Sequence, residues 1–367
     1  MDEADGLIHL YSISLQGRPE MVLTCQYEVT KAMFNPFDPN VIIGATQTGY
    51  LLEWDVRAKK EPISGSGDDR RNRSQPIQKS CLAQNGHNYP IYSLAVVGAQ
   101  SAHNIVSISN DGKMCLWKPK VLADPKDHYY LEINPNIAGM NRLSSSIGAA
   151  ALLNKSSDLS GMAASQGAQN RQLVNAHCID FVEGDSDKFF IGSEDFNIYS
   201  CTLPRETRNP TLTGYYGHNA PVTSIHVHPG VSQNDRYTDM TELVLSGSMD
   251  WTVNLWNPKE YSKPLMTFES SQEYVYDVQW SPTHPSVFAS CDAEGFVDVW
   301  NINRDKETPQ VRKQISDKPR PINTLRWSRD GKRIAVGDSQ GFITMLQVDN
   351  DLCIPKDEDF DQIQALI

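Results

Sequence analysis

The sequence predicts an all-β fold built from repeated four-stranded units, and three observations support this. Residues 243–256 form a strand–turn–strand pattern: an apolar run, a turn segment with Gly and Asp, and a β-branched and aromatic run. Further strand-like runs lie on either side, at residues 222–227 and 264–268. The end of the third strand of this unit recurs along the chain, and three of the six intervals are close to forty residues. The recurring positions are Tyr11, Trp54, Trp117, Cys201, Trp256, Trp300 and Leu346.

The unit around residues 218–256 resembles a WD40 repeat. His218, Asp250 and Trp256, together with Ser246 or Ser248, are the residues that form the inner hydrogen-bond network of such a repeat. His87, Asp111 and Trp117 occupy the same places in an earlier repeat. The resemblance implies a β-propeller, in which each blade packs only on its neighbours and the ring closes.

Counting the repeats gives a seven-bladed propeller over residues 1–356 with an incomplete first blade. Residues 1–27 supply only a half blade, because nothing precedes them to form its two inner strands. We interpret this as a shortened chain; the alternative is that another chain supplies the missing strands. The fourth blade, 173–203, is degenerate, and the seventh takes residues 352–355 as its outer strand.

Three segments are predicted to lie outside the blades. Residues 134–172 are rich in Ser, Ala, Gly and Asn, which favours a disordered insertion. Within it, residues 146–154 could form a short helix on a partner. The loop 64–75, with Arg70, Arg71 and Arg73, is predicted to be solvated, although it could dock an acidic partner. Residues 357–367 indicate a short acidic helix or tail.

Composition limits the function classes. The net charge of −12 argues against nucleic acid or an anionic membrane as the main partner. The seven cysteines are scattered and form no C-x-x-C pair, which favours free thiols in a reducing compartment. The acidic N-terminus carries no signal-peptide pattern, and the sequence has no apolar run long enough for a membrane span. We therefore expect a cytoplasmic protein without a cofactor.

The motifs that suggest catalysis or metal binding have structural explanations. Residues 337–341 match G-x-S-x-G, but the match falls in a turn between antiparallel strands, not in a strand-to-helix elbow. His226 and His228 share a strand, but the nearby His218 already has a structural role, and Asp111, Asp195 and Asp250 fall in separate repeats. We expect no enzyme and no metal site; a serine hydrolase using Ser339 is the alternative from another class.

Exposed aromatic residues are the candidate partner-binding residues. Tyr89, Phe196, Trp251 and Tyr274 fall in or beside the loops that a WD40 propeller places on one face. Aromatic side chains at such positions often anchor partners. The alternative is that each packs against a neighbouring blade, and the sequence does not choose between the two.

Four longer stretches identify a narrower resemblance. Residues 98–113, 250–256, 274–288 and 334–341 together look like the C-terminal propeller of cytoplasmic dynein intermediate chains. The resemblance implies a scaffold without ATPase activity that binds the dynein heavy chain and other dynein subunits in the microtubule-associated motor. The family's light-chain and dynactin sites lie in an N-terminal region with no counterpart here. The alternatives are a scaffold of an axonemal or ciliary dynein, or of another multiprotein complex.

Overall fold

The computed structural model describes most of the chain, and every strand below lies in its described parts. These parts are residues 6–14, 17–58, 73–81, 85–133, 172–203, 209–233, 236–237, 240 and 242–366. The predicted insertion, apart from residue 172, the partner-induced helix at 146–154, and Arg70 and Arg71 lie outside them.

The first two sheets belong to the half blade and to blade 2, as numbered along the sequence. Their strands are β1 (Gly6–Leu10), β2 (Met21–Cys25), β3 (Val29–Phe34), β4 (Val41–Thr46), β5 (Leu51–Asp55), β6 (Arg73–Ser74) and β7 (Gln78–Lys79). β1 and β2 are antiparallel, and β6 joins β2 in parallel. Blade 2 has the order β3-β4-β5-β7.

Blades 3, 4 and 5 are four-stranded antiparallel sheets, in which strands that follow each other in the sequence lie side by side from the inner to the outer edge. Blade 3 consists of β8 (Ile91–Ala99), β9 (Ala102–Ser109), β10 (Lys113–Trp117) and β11 (Asp127–Tyr130). β12 (Glu132–Ile133) then pairs with β13 (Gln172–Leu173). Blade 4 consists of β14 (Ala176–Phe181), β15 (Lys188–Ser193), β16 (Asn197–Thr202) and β17 (Thr211–Tyr216). Blade 5 begins with β18 (Val222–Val227), is interrupted by the paired β19 (Ser232–Gln233) and β20 (Arg236–Tyr237), and continues with β21 (Val244–Ser248), β22 (Val253–Trp256) and β23 (Met266–Phe268).

Blades 6 and 7 and two helices complete the described chain. Blade 6 consists of β24 (Val275–Trp280), β25 (Val287–Asp292), β26 (Phe296–Asn301) and β27 (Val311–Gln314). Blade 7 consists of β28 (Ile322–Trp327), β29 (Arg333–Asp338) and β30 (Ile343–Gln347). The helices are α1 (Asn350–Cys353) and α2 (Asp357–Leu366). Among the described residues, neither helix is long and apolar enough to cross a membrane.

The fold is an all-β propeller, as predicted, but its blade count differs from the prediction. The described residues form six blades, not seven. β1 and β2 provide only two of a blade's strands, and no inner strand pairs with β1 in the part of the chain that the structure describes. The pair packs against blade 2, where Leu23 shares a core cluster with Ile42 and Trp54.

The prediction of an outer strand at residues 352–355 was wrong. Residues 350–353 form α1, whose first backbone N–H is capped by the Asp349 side chain. Leu352 and Cys353 are buried, and Leu352 joins the core cluster of blades 6 and 7. The same apolar residues are therefore buried by a helical turn. The following helix, α2, buries Phe360 and Ile363.

The core lies between neighbouring sheets. One cluster, for example, joins Phe190 of blade 4 with Val222, Val244 and Trp256 of blade 5. The largest buried side chains are Trp54, Trp117, Trp256, Trp280 and Trp300. Burying an aromatic side chain of this size stabilises a fold by several kcal/mol. The packing of such side chains between neighbouring sheets therefore holds consecutive blades together.

The strand order gives the propeller two different faces. Within each antiparallel blade, the loop that enters the inner strand and the turn between the second and third strands lie at the same end of the sheet. We refer to this end as the turn face; its turns comprise residues 47–49, 110–112, 194–196, 249–251, 293–295 and 339–341. The inner strands end on the opposite face.

Candidate functional site: the turn face

Blade 5 contains a continuous hydrogen-bond network that reaches the turn face. Trp256 Nε1–H donates to Ser246 Oγ at 2.8 Å, and Ser246 Oγ lies 2.7 Å from His218 Nε2. His218 Nδ1 lies 2.9 Å from Asp250 Oδ2, which also accepts the Asn219 backbone N–H at 2.9 Å. Because an ionised carboxylate can only accept hydrogen bonds, the ring proton of His218 lies on Nδ1, which faces Asp250. The Ser246 hydroxyl therefore donates to Nε2.

The environment of Asp250 keeps it ionised. Burial acts to raise the pKa of the Asp250 carboxyl, but the hydrogen bonds from His218, the Asn219 backbone N–H and the Thr252 hydroxyl together outweigh burial. The pKa therefore lies well below its usual range. Asp250 also accepts from the Thr252 hydroxyl at 2.7 Å, so the carboxylate organises the turn.

Blade 3 has a shorter version of the same network. His87 Nε2 lies 2.7 Å from Ser107 Oγ, and Trp117 Nε1–H donates to the same oxygen at 2.8 Å. Here His87 Nδ1 and Asp111 Oδ1 are 3.9 Å apart, beyond hydrogen-bond distance. Each network connects residues of a single blade, so its role is to stabilise that blade.

The geometry of the other chemical motifs does not assemble a reactive centre. The turn at residues 337–341 joins the antiparallel strands β29 and β30 without a helix after it. Within the described residues, no hydrogen bond joins the Ser339 side chain to a histidine, and no group of three or more His, Cys, Asp or Glu side chains could hold a metal ion. The segment thus lacks the strand–turn–helix that exposes a serine nucleophile.

The four aromatic side chains singled out from the sequence are all substantially exposed. Their exposed fractions are 58% for Tyr89, 43% for Phe196, 49% for Trp251 and 42% for Tyr274. Phe196 and Trp251 lie in the turns of blades 4 and 5, whereas Tyr89 and Tyr274 lie in the loops that enter the inner strands of blades 3 and 6. The topology therefore puts all four at the turn face.

Two of these residues occupy an unusual backbone conformation. Phe196 and Trp251 both have φ = +74°. A left-handed conformation is rare for a bulky residue and costs about 1–3 kcal/mol.

The other blades show what this position ordinarily contains. The equivalent turn position is glycine with positive φ in each of the remaining four blades: Gly49, Gly112, Gly295 and Gly341. The turn requires a positive φ at this position, and glycine adopts it without steric cost. The aromatic residues at this position were not predicted as backbone outliers from the sequence, although the difference from glycine is visible when the six turns are aligned.

Comparison with known proteins identifies the family. The chain matches the family model of the dynein axonemal intermediate chain 3 WD40 domain over residues 146–348, which is more than half of its length. The chain belongs to the dynein intermediate chain family of WD40 proteins. It is also 31% identical over 365 residues to a cytoplasmic dynein 1 intermediate chain of Drosophila melanogaster. That alignment covers 99% of this chain and 47% of the relative, so this dynein intermediate chain homologue spans about half of the relative's length. The resemblance found in the sequence is thereby confirmed.

Proposed function

We propose that this chain is a non-catalytic scaffold subunit of the cytoplasmic dynein motor complex, and that it binds the dynein heavy chain through its turn face. In this role it supports microtubule-based transport in the cytoplasm, where it is associated with the cytoskeleton. The proposal assigns no light-chain or dynactin site to these residues.

The observation that carries the proposal is the pair of exposed aromatic residues in left-handed turns. Phe196 and Trp251 stand where the other blades have glycine, and each places a half-exposed ring at the turn face. A bulky residue held in a strained backbone conformation at a position where glycine would fit points to a functional role. Protein interfaces concentrate their binding energy in a few such aromatic anchors.

Tyr274 and Tyr89 extend the proposed contact area on either side. Tyr274 lies close to the turn of blade 6, since its carbonyl oxygen accepts the Ala293 N–H at 2.9 Å. Tyr89 lies beside the turn of blade 2, where its carbonyl oxygen is 3.0 Å from the position of a Cβ built on Gly49. Their half-exposed rings would add aromatic area to the same surface.

An axonemal or ciliary dynein is the second candidate. It is supported by the family model, which describes an axonemal intermediate chain. In both candidates the chain is a scaffold that binds a heavy chain through the turn face. The candidates differ in which heavy chain is bound.

The test is affinity capture of the tagged chain from lysate of its own cells, quantified by mass spectrometry. The wild-type chain is expected to recover dynein heavy chain in near-stoichiometric yield, and the heavy-chain sequence distinguishes a cytoplasmic from an axonemal motor. The Phe196→Asn and Trp251→Asn variants are expected to recover at least about tenfold less, as for a typical aromatic anchor.

Tyr261→Asn is the matched control. Tyr261 is 52% exposed in the loop between β22 and β23, which lies at the opposite end of blade 5. Undiminished recovery by the Phe196 and Trp251 variants would remove the turn face from the proposal. Recovery of a different complex without dynein would contradict the scaffold role itself.

A further inference from the structure

A cavity of about 700 Å³ lies on the face opposite the turn face. It is open to solvent and is lined by the last residues of the inner strands β3, β8, β14 and β18, from blades 2 to 5, and by the loops after β14 and β18. Its volume is in the range of pockets that hold a small ligand or a side chain. We refer to it as the inner-strand cavity.

One part of the cavity wall is apolar and incompletely buried. Met33, Val96, Val97 and Phe181 line it and are each half-buried. Apolar atoms that remain accessible within a concave site can cover the aliphatic stem of a long side chain.

The polar part of the wall is acidic. Asp180, Glu183 and Asp185 line the cavity. Asp180 accepts the backbone N–H groups of Val227 at 2.7 Å and of Phe181 at 3.0 Å, one on each carboxylate oxygen. Each oxygen retains a second lone pair for a further donor. Among the described residues, no ion pair joins these three carboxylates to a lysine or arginine.

Glu183 and Asp185 are held in place by their own loops. Glu183 Oε2 accepts the Gly230 N–H at 2.9 Å, which connects the loop of blade 4 to that of blade 5. Asp185 Oδ1 accepts the Asp187 N–H at 2.9 Å. In both side chains the second carboxylate oxygen accepts no hydrogen bond from the described residues.

The neighbouring basic groups are His226, His228, Arg326 and, on β3, Lys31, and among the described residues none of them forms an ion pair with these three carboxylates. Burial lowers the pKa of His226 and that of His228, so both rings are neutral at pH 7. Arg326 is paired with Asp277 at 2.8 Å. Burial raises the pKa of the Asp180 carboxyl even though the charge of Arg326 and two backbone N–H groups act in the other direction.

We propose that the inner-strand cavity binds the side chain of an arginine or lysine presented by an extended segment of a partner polypeptide. The aliphatic stem would lie on Met33, Val96 and Phe181, and the cationic head would reach Asp180, with Glu183 and Asp185 at the rim. Charge complementarity selects a cation over an anion, and the apolar wall selects a long side chain over a bare ion. This site is separate from the proposed heavy-chain contact, because it lies at the other end of the inner strands.

The test is a titration of the 367-residue chain with the peptide acetyl-Ser-Val-Arg-Val-Ser-amide carrying a neutral dye, followed by fluorescence anisotropy. We expect saturable binding that weakens at least about tenfold when citrulline, which has nearly the same shape without the charge, replaces the arginine. Asp180→Asn should weaken binding about tenfold or more. The double variant Glu183→Gln with Asp185→Asn should weaken it about fivefold, as for two rim ion pairs.

Asp317→Asn is the control for net charge, because Asp317 is an exposed carboxylate in the loop that enters β28, at the turn face. The double variant preserves the acceptors for Gly230 and Asp187, so it decides the question if Asp180→Asn does not fold. Equal binding of the citrulline peptide, or equal weakening by Asp317→Asn, would overturn the proposal. So would equal affinity for free arginine amide, or no saturation up to about 5 mM peptide.

Discussion

Replacing Trp251 and Phe196 with asparagine separates stability from partner binding. Both residues have φ = +74°, a conformation that asparagine tolerates much better than a bulky aromatic residue. The relief of backbone strain should stabilise the folded state by about 1–2 kcal/mol per site.

Loss of aromatic packing opposes this gain. Trp251 is 49% exposed, so about half of its side chain, on the order of 100 Å², is covered in the folded protein. Asparagine would cover roughly half of that area in turn, which leaves a loss of about 50 Å², or ~1.3 kcal/mol. The two effects nearly cancel, and the free energy of unfolding should change by less than about 1 kcal/mol.

The assay is urea unfolding at 25 °C followed by circular dichroism, with the midpoint compared at constant m value. Tyr261→Asn removes a similarly exposed ring, and Tyr261 is not among the residues with positive φ. It should therefore lose ~1 kcal/mol without any compensating gain. Heavy-chain recovery should show the reverse order, falling for Trp251→Asn and Phe196→Asn but not for the control.

A destabilisation of about 3 kcal/mol or more by Trp251→Asn would refute this reasoning. It would mean that the ring is a packing element between blades, the alternative that the sequence left open. A loss of that size is typical of truncating a core aromatic residue.

Three further predictions concern the interior. Ser246→Ala should lower the free energy of unfolding by about 1–3 kcal/mol in urea, because it leaves the Trp256 N–H buried without its acceptor and removes the hydroxyl that faces His218 Nε2. For His228, burial lowers the pKa from 6.5 to about 4, so the unfolded chain binds the extra proton first as the pH falls. The contribution of His228 to stability should be complete above pH 6.5 and fall by up to about 3 kcal/mol towards pH 4, and His228→Gln should remove this part of the pH dependence. A maleimide should label Cys81 rapidly and the six buried cysteines slowly, as read by mass spectrometry of the native protein.

Each of these predictions has a control or a contradicting result. Ser339→Ala, in an exposed turn, should leave stability unchanged; a fluorophosphonate label lost in that variant would instead revive the hydrolase alternative. Equal acid unfolding curves for the wild type and His228→Gln would contradict the burial of a neutral ring. A second rapidly labelled thiol would contradict the burial of the other six, of which Cys115 has its pKa raised by burial to about 12.

Some features followed directly from local pattern. Alternating apolar and β-branched runs predicted the strands, and the recurring aromatic residue at the end of the third strand predicted the repeat. His218, Asp250 and Trp256 were identified from their places in one repeat, and the structure brings them together through Ser246. These features are local because each blade is formed by consecutive strands.

Other features depended on contacts that no local pattern specifies. The short run at residues 352–355 has too few residues to distinguish a strand from a helical turn, and the Asp349 cap with the burial of Leu352 decided for the helix.

The amino-acid pattern alone was sufficient for the all-β class, the repeats and the dynein intermediate chain family, because these depend on residues close together in the chain. The tertiary structure was needed for the left-handed conformation of Phe196 and Trp251 and for the inner-strand cavity. That cavity joins Met33 of blade 2 with Asp180 of blade 4 and His226 of blade 5, which are far apart in sequence. Such a site exists only once the blades are arranged around a common axis, because packing between sheets, and not the propensity of any segment, brings its walls together.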